Sequence, residues 1–344
     1  MQLSPTLLLA LCLAFCARPA PAAFINGHAY TPLADWADAN GLRLVRGSRG
    51  DELLVTNRNT RLVFAKDSRT AQINGANVAL SFPVAVDKGA AFITQLDLAK
   101  TVDPLIYPPK ASAKKISTIV LDPGHGGKDP GNRAGWRYEK TATLALASEL
   151  RDQLTKAGFN VILTRSKDKY VELAERPDIA NRRNADLFVS LHFNATETGK
   201  AEVSGPETYC ITPVGASSSN AQGEGANHGA CLANRVENKS LLLAFAVHKS
   251  LVKILGAADR SVRRARFAVL RDAEMPAILV EGGYMTHPAE GQKIFDAAYR
   301  RQMATAIVKG ILHYQKLTAP PAPANPPGTN KVSSAKSAKR GRND

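Results

Sequence analysis

Four residues in the second half of the chain stand where apolar packing would not choose them. His125 follows Asp122-Pro123-Gly124 and precedes Gly126-Gly127, and His192 ends the apolar run Ser190-Leu191-His192-Phe193-Asn194-Ala195. Glu281 ends Ala277-Ile278-Leu279-Val280, and Glu139 opens a helical pattern. Two histidines and one glutamate make a common catalytic zinc triad, with one position left for water. A second glutamate near the metal but not bound to it can take a proton from that water and pass it to a leaving amine.

Each residue also has a plainer reading. A histidine at a strand end is often just hydrogen-bonded, and Glu139 could serve the dipole of its helix. The glycines around His125 could cradle a phosphate, but Lys128 is followed by Asp129 rather than Ser or Thr, so the P-loop pattern fails. His-Glu-x-x-His and Gly-x-Ser-x-Gly are both missing, which removes the usual metalloprotease helix and serine-hydrolase elbow. Composition and spacing alone point to a metal hydrolase and leave the reaction open.

The elements that must position these residues begin at Ile116. Apolar runs at 118–121, 161–163, 187–191, 207–211, 267–270 and 277–280 read as about six strands. Helical spacing over 139–157, 171–184, 239–255 and 290–316 places helices between and after them. The expected fold is α/β, a three-layer domain with a largely parallel six-stranded sheet, whose strand ends collect the site. A small α+β domain is expected before it over 24–108. Two stretches there match, Gly27-x-Ala29-Tyr30 with Asp35-Trp36-Ala37, and Gly89-x-Ala91-Phe92 with Asp97-Leu98-Ala99. This block loosely resembles the small N-terminal module first named from copper amine oxidases. With one histidine and no cysteine it suggests no metal site of its own. Residues 109–116 read as a linker.

Residues 117–316 resemble the zinc-dependent N-acetylmuramoyl-L-alanine amidases of the family called Amidase_3. The matching stretches are 120–127, Glu139-Lys140, Thr164-Arg165, Leu173 with Arg176, Ala180-Asn181, 190–195 and 275–281. The resemblance implies one zinc held by His125, Glu139 and His192, with Glu281 as the catalytic carboxylate. It implies cleavage of the amide between N-acetylmuramic acid and the L-alanine of the peptidoglycan stem. Asn194 and Arg165 are then candidates for substrate contact. Phe193 stands where the family has a small residue, and Tyr284 and His287 vary its pattern after Glu281. His248 and His313 read as helix-surface or packing residues. A catalytically inactive wall-binding protein and a zinc peptidase acting within the stem peptide are the competing readings.

The chain has 344 residues with a formal charge of +15, which favours anionic partners and gives no sign of a specific nucleic-acid site. Residues 7–15 form an apolar core ahead of Ala20-x-Ala22, so 1–22 read as an export signal and the protein as one of the periplasm or cell envelope. From Thr318 a Pro-, Ala- and Lys-rich tail (318–344) lacks residues to bury and reads as disordered and basic. It could contact anionic wall polymers or stay solvated, and the need for an activator protein is likewise open. After export two cysteines remain, Cys210 and Cys231, which could close one disulfide around the Gly- and Ser-rich segment 212–238. That segment could then act as a lid, with His228 as a candidate approach to the metal.

Overall fold

The computed structural model describes residues 23–47, 51–108, 115–219 and 229–319. The export signal, the tail beyond Ala319, most of the linker and His228 lie outside the described residues. Among these residues no helix is long and apolar enough to cross a membrane.

Alternation along each strand builds the catalytic half. Ile119 and Leu121, Leu187, Val189 and Leu191, and Ile278 and Val280 face one side, where helices Glu139–Lys156, Glu237–Leu255 and Ala297–Thr318 cover them. Val120, Phe188, Ala277 and Leu279 face the other side, under the shorter helices Glu175–Arg182 and Ala268–Arg271. The result is the expected three layers. Strands Asn160–Leu163, Thr118–Pro123, Leu187–Asn194 and Ala277–Tyr284 lie parallel in that order. Glu207–Cys210 then joins antiparallel, and Val262–Arg264 follows parallel to it.

The sixth strand is therefore Val262–Arg264 and not 267–270, which forms the helix Ala268–Arg271. The run Phe267-Ala268-Val269-Leu270 is apolar because Val269 and Leu270 pack beneath the sheet, and a short buried helix and a short strand look alike in sequence. The region expected as one helix over 290–316 divides into Glu290–Ile294 and Ala297–Thr318, where the Asp296 side chain caps the second helix.

The first block repeats one unit. Hairpin Ala23–Ile25/His28–Pro32 leads into helix Leu33–Ala39, and hairpin Ala85–Asp87/Ala90–Thr94 leads into the helical stretch from Gln95 to Ile106. The two hairpins turn at Asn26-Gly27 and Lys88-Gly89, all four residues at positive φ, and their inner strands pair antiparallel. Five more strands, from Arg43 to Ala79, form a meander.

That meander does not stand apart. Val78 pairs with Val262, so one eleven-stranded sheet runs through both halves. The junction is stitched by polar contacts: Asn77 N donates to Asp259 Oδ2 at 2.8 Å and Lys249 Nζ to Asn74 O at 2.7 Å. Lys100 pairs with Glu237 at 2.7 Å, and buried Arg264 donates to the Lys100 carbonyl. His248 is fully buried, between Thr208 Oγ1 at 3.2 Å and Asp259 Oδ1 at 2.9 Å. It belongs to this junction and not to a helix surface.

Candidate metal centre

The loop after strand Thr118–Pro123 turns sharply enough to hold His125 at φ 62°, a left-handed conformation that costs a non-glycine residue energy. Two buried guanidinium groups hold it there. Arg165 donates to the carbonyls of Pro123, Gly124 and Lys140, each within 2.9 Å. Arg176 pairs with buried Asp122 at 2.8 Å and donates to the carbonyls of Pro123 and His125. Asp122 also accepts from Thr164 Oγ1 and Ser190 Oγ, which locks the loop to its neighbouring strands.

Arg165 is thus a scaffold residue and not a substrate contact. It is only 3 % exposed, and its donors face carbonyls of the loop.

Glu139 is the hinge of the site, with its carboxylate fully buried at the first turn of its helix. Its Oε2 lies 3.0 Å from His125 Nε2 and its Oε1 lies 2.9 Å from His192 Nδ1. The same oxygens accept from Asn132 N and Phe193 N. The two imidazoles meet edge to face with centroids 4.8 Å apart. One ligand atom from each of His125, Glu139 and His192 falls within 4.8 Å of the others, so this group could hold a metal ion. Two glycines make room for it. A Cβ on Gly124 would sit 2.2 Å from the His192 ring, and one on Gly131 would sit 2.6 Å from His125 and 2.7 Å from Glu139.

The charges follow from these contacts. Burial alone would keep His125 neutral, but hydrogen bonding and attraction from Glu139, then Asp129, outweigh it and raise the ring's pKa. Burial likewise opposes ionisation of Glu139, and the hydrogen bonds from both histidines win, which holds its carboxyl far below the usual range. Asp129 accepts from His125 Nδ1 at 2.8 Å and so orients the ring with Nε2 toward Glu139. Sequence reasoning missed this residue, although a carboxylate four positions after a candidate ligand was visible.

Glu281 sits directly opposite His192 on the adjacent strand, on the same face. Its Oε2 is buried with no hydrogen-bond partner among the described residues. Burial, then the charges of Glu139 and Glu207, push its pKa well above the ordinary carboxylate range. A basic, unpartnered carboxylate beside a metal-ligating group is the arrangement proton transfer needs.

Opposite Glu281 on the other side lies Glu207, which the sequence reading had placed merely in a strand. It is 3 % exposed and accepts from Tyr209, Asn194, Tyr284 and Arg260. Asn194 is therefore turned toward Glu207, with its Nδ2 3.1 Å from Oε2. Phe193 points to the opposite face of the sheet, into the core against Gly282.

Cys210 and Cys231 are both free thiols. Cys210 ends its strand facing the core, beside the Arg264 guanidinium at 3.3 Å, while Cys231 closes a turn with Asn234, so no bridge pins the intervening segment.

The family model described as N-acetylmuramoyl-L-alanine amidase matches residues 119–313, more than half of the chain. The chain is 33% identical over 242 residues to the N-acetylmuramoyl-L-alanine amidase AmiC of Neisseria meningitidis, a match covering 64% of this chain and 57% of that protein. It is 32% identical over 230 residues to AmiA of Escherichia coli, covering 60% of this chain and 78% of that one. The crystal structure of an N-acetylmuramoyl-L-alanine amidase from Clostridium difficile 630 aligns at 34% identity and a TM-score of 0.49, over 59% of this chain and 98% of that chain. The chain thus spans a little over half the length of the Neisseria relative it matches.

Proposed function

Because the chain belongs to the N-acetylmuramoyl-L-alanine amidase family, we propose that it is a peptidoglycan amidase using one zinc ion held by His125, Glu139 and His192. The bond cut is the amide between the lactyl group of N-acetylmuramic acid and the L-alanine of the stem peptide. The donor set suits zinc: two imidazole nitrogens and one carboxylate oxygen, with His125 and Glu139 atoms 3.0 Å apart. That is close to the spacing of about 3.4 Å that tetrahedral bonds of about 2.0–2.2 Å require.

Bound there, zinc supplies Lewis acidity that polarises the amide carbonyl and makes a water acidic. The chain does the rest. Glu281 takes the proton of the attacking water and returns it to the alanine nitrogen as the C–N bond breaks, so atoms and charge balance at free peptide and free lactyl carboxylate. Asp129 keeps His125 in the tautomer that presents Nε2 to the metal. The Arg165 and Arg176 clamps hold the His125 loop against its own backbone strain. The observation that carries the reading is the buried Glu281 Oε2, unpartnered among the described residues, one strand from His192 of the His125–Glu139–His192 group.

Residues 1–22 direct export, and the enzyme works in the cell envelope on peptidoglycan. Digestion of purified sacculi with mass analysis of the products is the test. Stem peptides with a free L-alanine amine are expected. Fragments cut between stem residues would indicate a peptidase, and no products together with tight sacculus binding would indicate a wall-binding protein. Glu281→Gln should retain zinc while turnover falls roughly 10²–10⁴-fold.

A further inference from the structure

The face of the sheet that carries His192 and Glu281 continues past them. The register places His192, Glu281 and Glu207 side by side on three successive strands. On the fourth strand Arg263 pairs with Tyr209, two residues beyond Glu207 on that face. Glu207 is buried, yet the two guanidinium groups that meet it are not. Arg260 donates from Nε to Glu207 Oε1 at 3.0 Å, Arg263 Nη2 lies 3.3 Å from the same oxygen, and their side chains are 29% and 27% exposed. Arg260 also hydrogen-bonds the Tyr284 side chain, and Arg263 Nε donates to the Arg260 carbonyl at 3.2 Å. Tyr284 fixes the arrangement, with its hydroxyl 3.0 Å from Glu207 Oε1 and its ring 5.1 Å from the Arg260 guanidinium carbon. Arg263 also lines a small cavity, part polar and part apolar, with Arg69, Thr70, Ala79, Leu80 and Ser261.

One buried carboxylate thus holds two partly exposed arginines side by side, next to Glu281. We propose that Arg260 and Arg263, held by Glu207, form an anion subsite that takes the free carboxylate of the second stem-peptide residue. The proposal rests on the amidase reading and adds which part of the leaving peptide is recognised. Its dimensions agree. Neighbouring strands stand about 4.8 Å apart, so the strand of Arg263 lies about 10 Å from that of Glu281. An extended peptide advances about 3.3–3.6 Å per residue from the cut amide, which brings the second residue's carboxylate within reach of both side chains. Planar guanidinium groups suit a carboxylate because they offer paired donors, and such charge-assisted contacts are the stronger kind of hydrogen bond. Glu207 and Tyr284 are positioning residues for this subsite.

The test compares two muramyl peptides that differ only at the second residue, one with a free α-carboxylate and one with a carboxamide. kcat and KM are measured on full-length zinc-loaded protein, and equilibrium binding of both peptides is measured on the Glu281→Gln protein. The expected result is a preference of about 10- to 100-fold for the acid, carried by KM and by binding. Arg260→Gln and Arg263→Gln should each reduce that preference toward unity while leaving binding of the amide within about threefold. Tyr284→Phe should weaken the preference partly, because Arg260 loses one support. An Arg260→Gln protein that folds poorly is replaced by Arg260→Lys, which keeps charge and should keep part of the preference. Equal binding of acid and amide by the parent, or equal losses for both peptides in the arginine variants, would overturn the subsite. If neither peptide is hydrolysed but the acid still binds preferentially through the two arginines, the reaction assignment fails and the subsite stands.

Discussion

Replacing Gly124 with alanine tests whether the metal centre depends on backbone close to His192. The added Cβ would stand 2.2 Å from His192 Cε1, 2.4 Å from Nε2 and 2.7 Å from Nδ1. Carbon contacts settle at about 3.5–4.0 Å, so the ring must retreat by more than about 1 Å. The backbone cannot give instead, because Gly124 N donates to Leu191 O at 3.0 Å and its carbonyl is held by Arg165 and Thr143. Metal–ligand distances tolerate only about 0.2 Å, so His192 could no longer serve as the proposed ligand. Zinc affinity should fall by about 100-fold or more, and a displacement of about 1 Å at a reacting centre by itself costs about 10²-fold in rate. Competition against a zinc-selective chelator reads the affinity, and turnover of a soluble muropeptide reads the rate. Overpacking costs about 1–3 kcal/mol, so the metal-free variant should still fold, with Tm lower by roughly 2–12 °C. A Gly124→Ala protein that binds zinc within threefold of the parent and turns over normally would refute the argument.

Asp129→Ala should weaken zinc binding by about 10–100-fold while leaving the fold intact, because it removes the group that orients His125 and one loop hydrogen bond from Gly131 N; chelator competition measures this. In the metal-free protein His125 has a pKa raised above 6.5 and Glu139 one lowered below 4.5, so their pairing stabilises fully between those values. Metal-free Tm should therefore fall as pH rises through the raised His125 pKa, and fall again in strong acid as Glu139 protonates; a flat profile from pH 5 to 9 would contradict the pairing. In protein lacking residues 1–22, a thiol reagent should count two free cysteines after denaturation and at most Cys231 before it, since burial raises the Cys210 pKa. Deleting residues 23–108 would take Asn77 N from Asp259, the Asn74 carbonyl from Lys249 and the Lys100 carbonyl from Arg264, and leave Val262–Arg264 as a bare sheet edge. At about 1–3 kcal/mol for each of three such groups the Tm should fall by at least about 6 °C, as calorimetry would show.

The parts legible in sequence were those with a local signature. Alternation within 118–121, 187–191 and 277–280 announces buried strands, and each ends in a polar residue that the core would reject, so His125, His192 and Glu281 stand out one by one. The repeated Gly-x-Ala-aromatic unit likewise suggested two matching strand–helix pieces, each of which begins with a hairpin in the structure. Where local signals are degenerate the reading slipped: 267–270 has strand-like composition, but helix Ala268–Arg271 needs the same apolar residues to cover Ala273 and Met275. Arg165 was a candidate substrate contact from the family resemblance, whereas here its guanidinium donates to the carbonyls of Pro123, Gly124, Lys140 and Lys167 and to the Thr143 hydroxyl.

Glu207, Asp259 and Arg260 illustrate what no local pattern could show. Glu207 acquires its meaning from register, since only pairing Glu207 with Glu281 and Glu281 with His192 aligns the three side chains. A one-residue slip in either ladder would turn Glu207 to the opposite face, where apolar helices pack, and a buried carboxylate without partners there would cost several kcal/mol. The register is therefore enforced by the same charge that the site uses. Asp259 extends this constraint across the molecule: its two oxygens tie His248, Ser261 and the Asn77 backbone together, immediately before Arg260 meets Glu207. The docking of the first block and the placement of the groove arginines thus share one short segment, 259–263. Asp259→Asn should then disturb both at once, lowering Tm and weakening discrimination between acid and amide peptides. A variant that loses stability yet keeps full discrimination would show that the arginines are held by Glu207 alone.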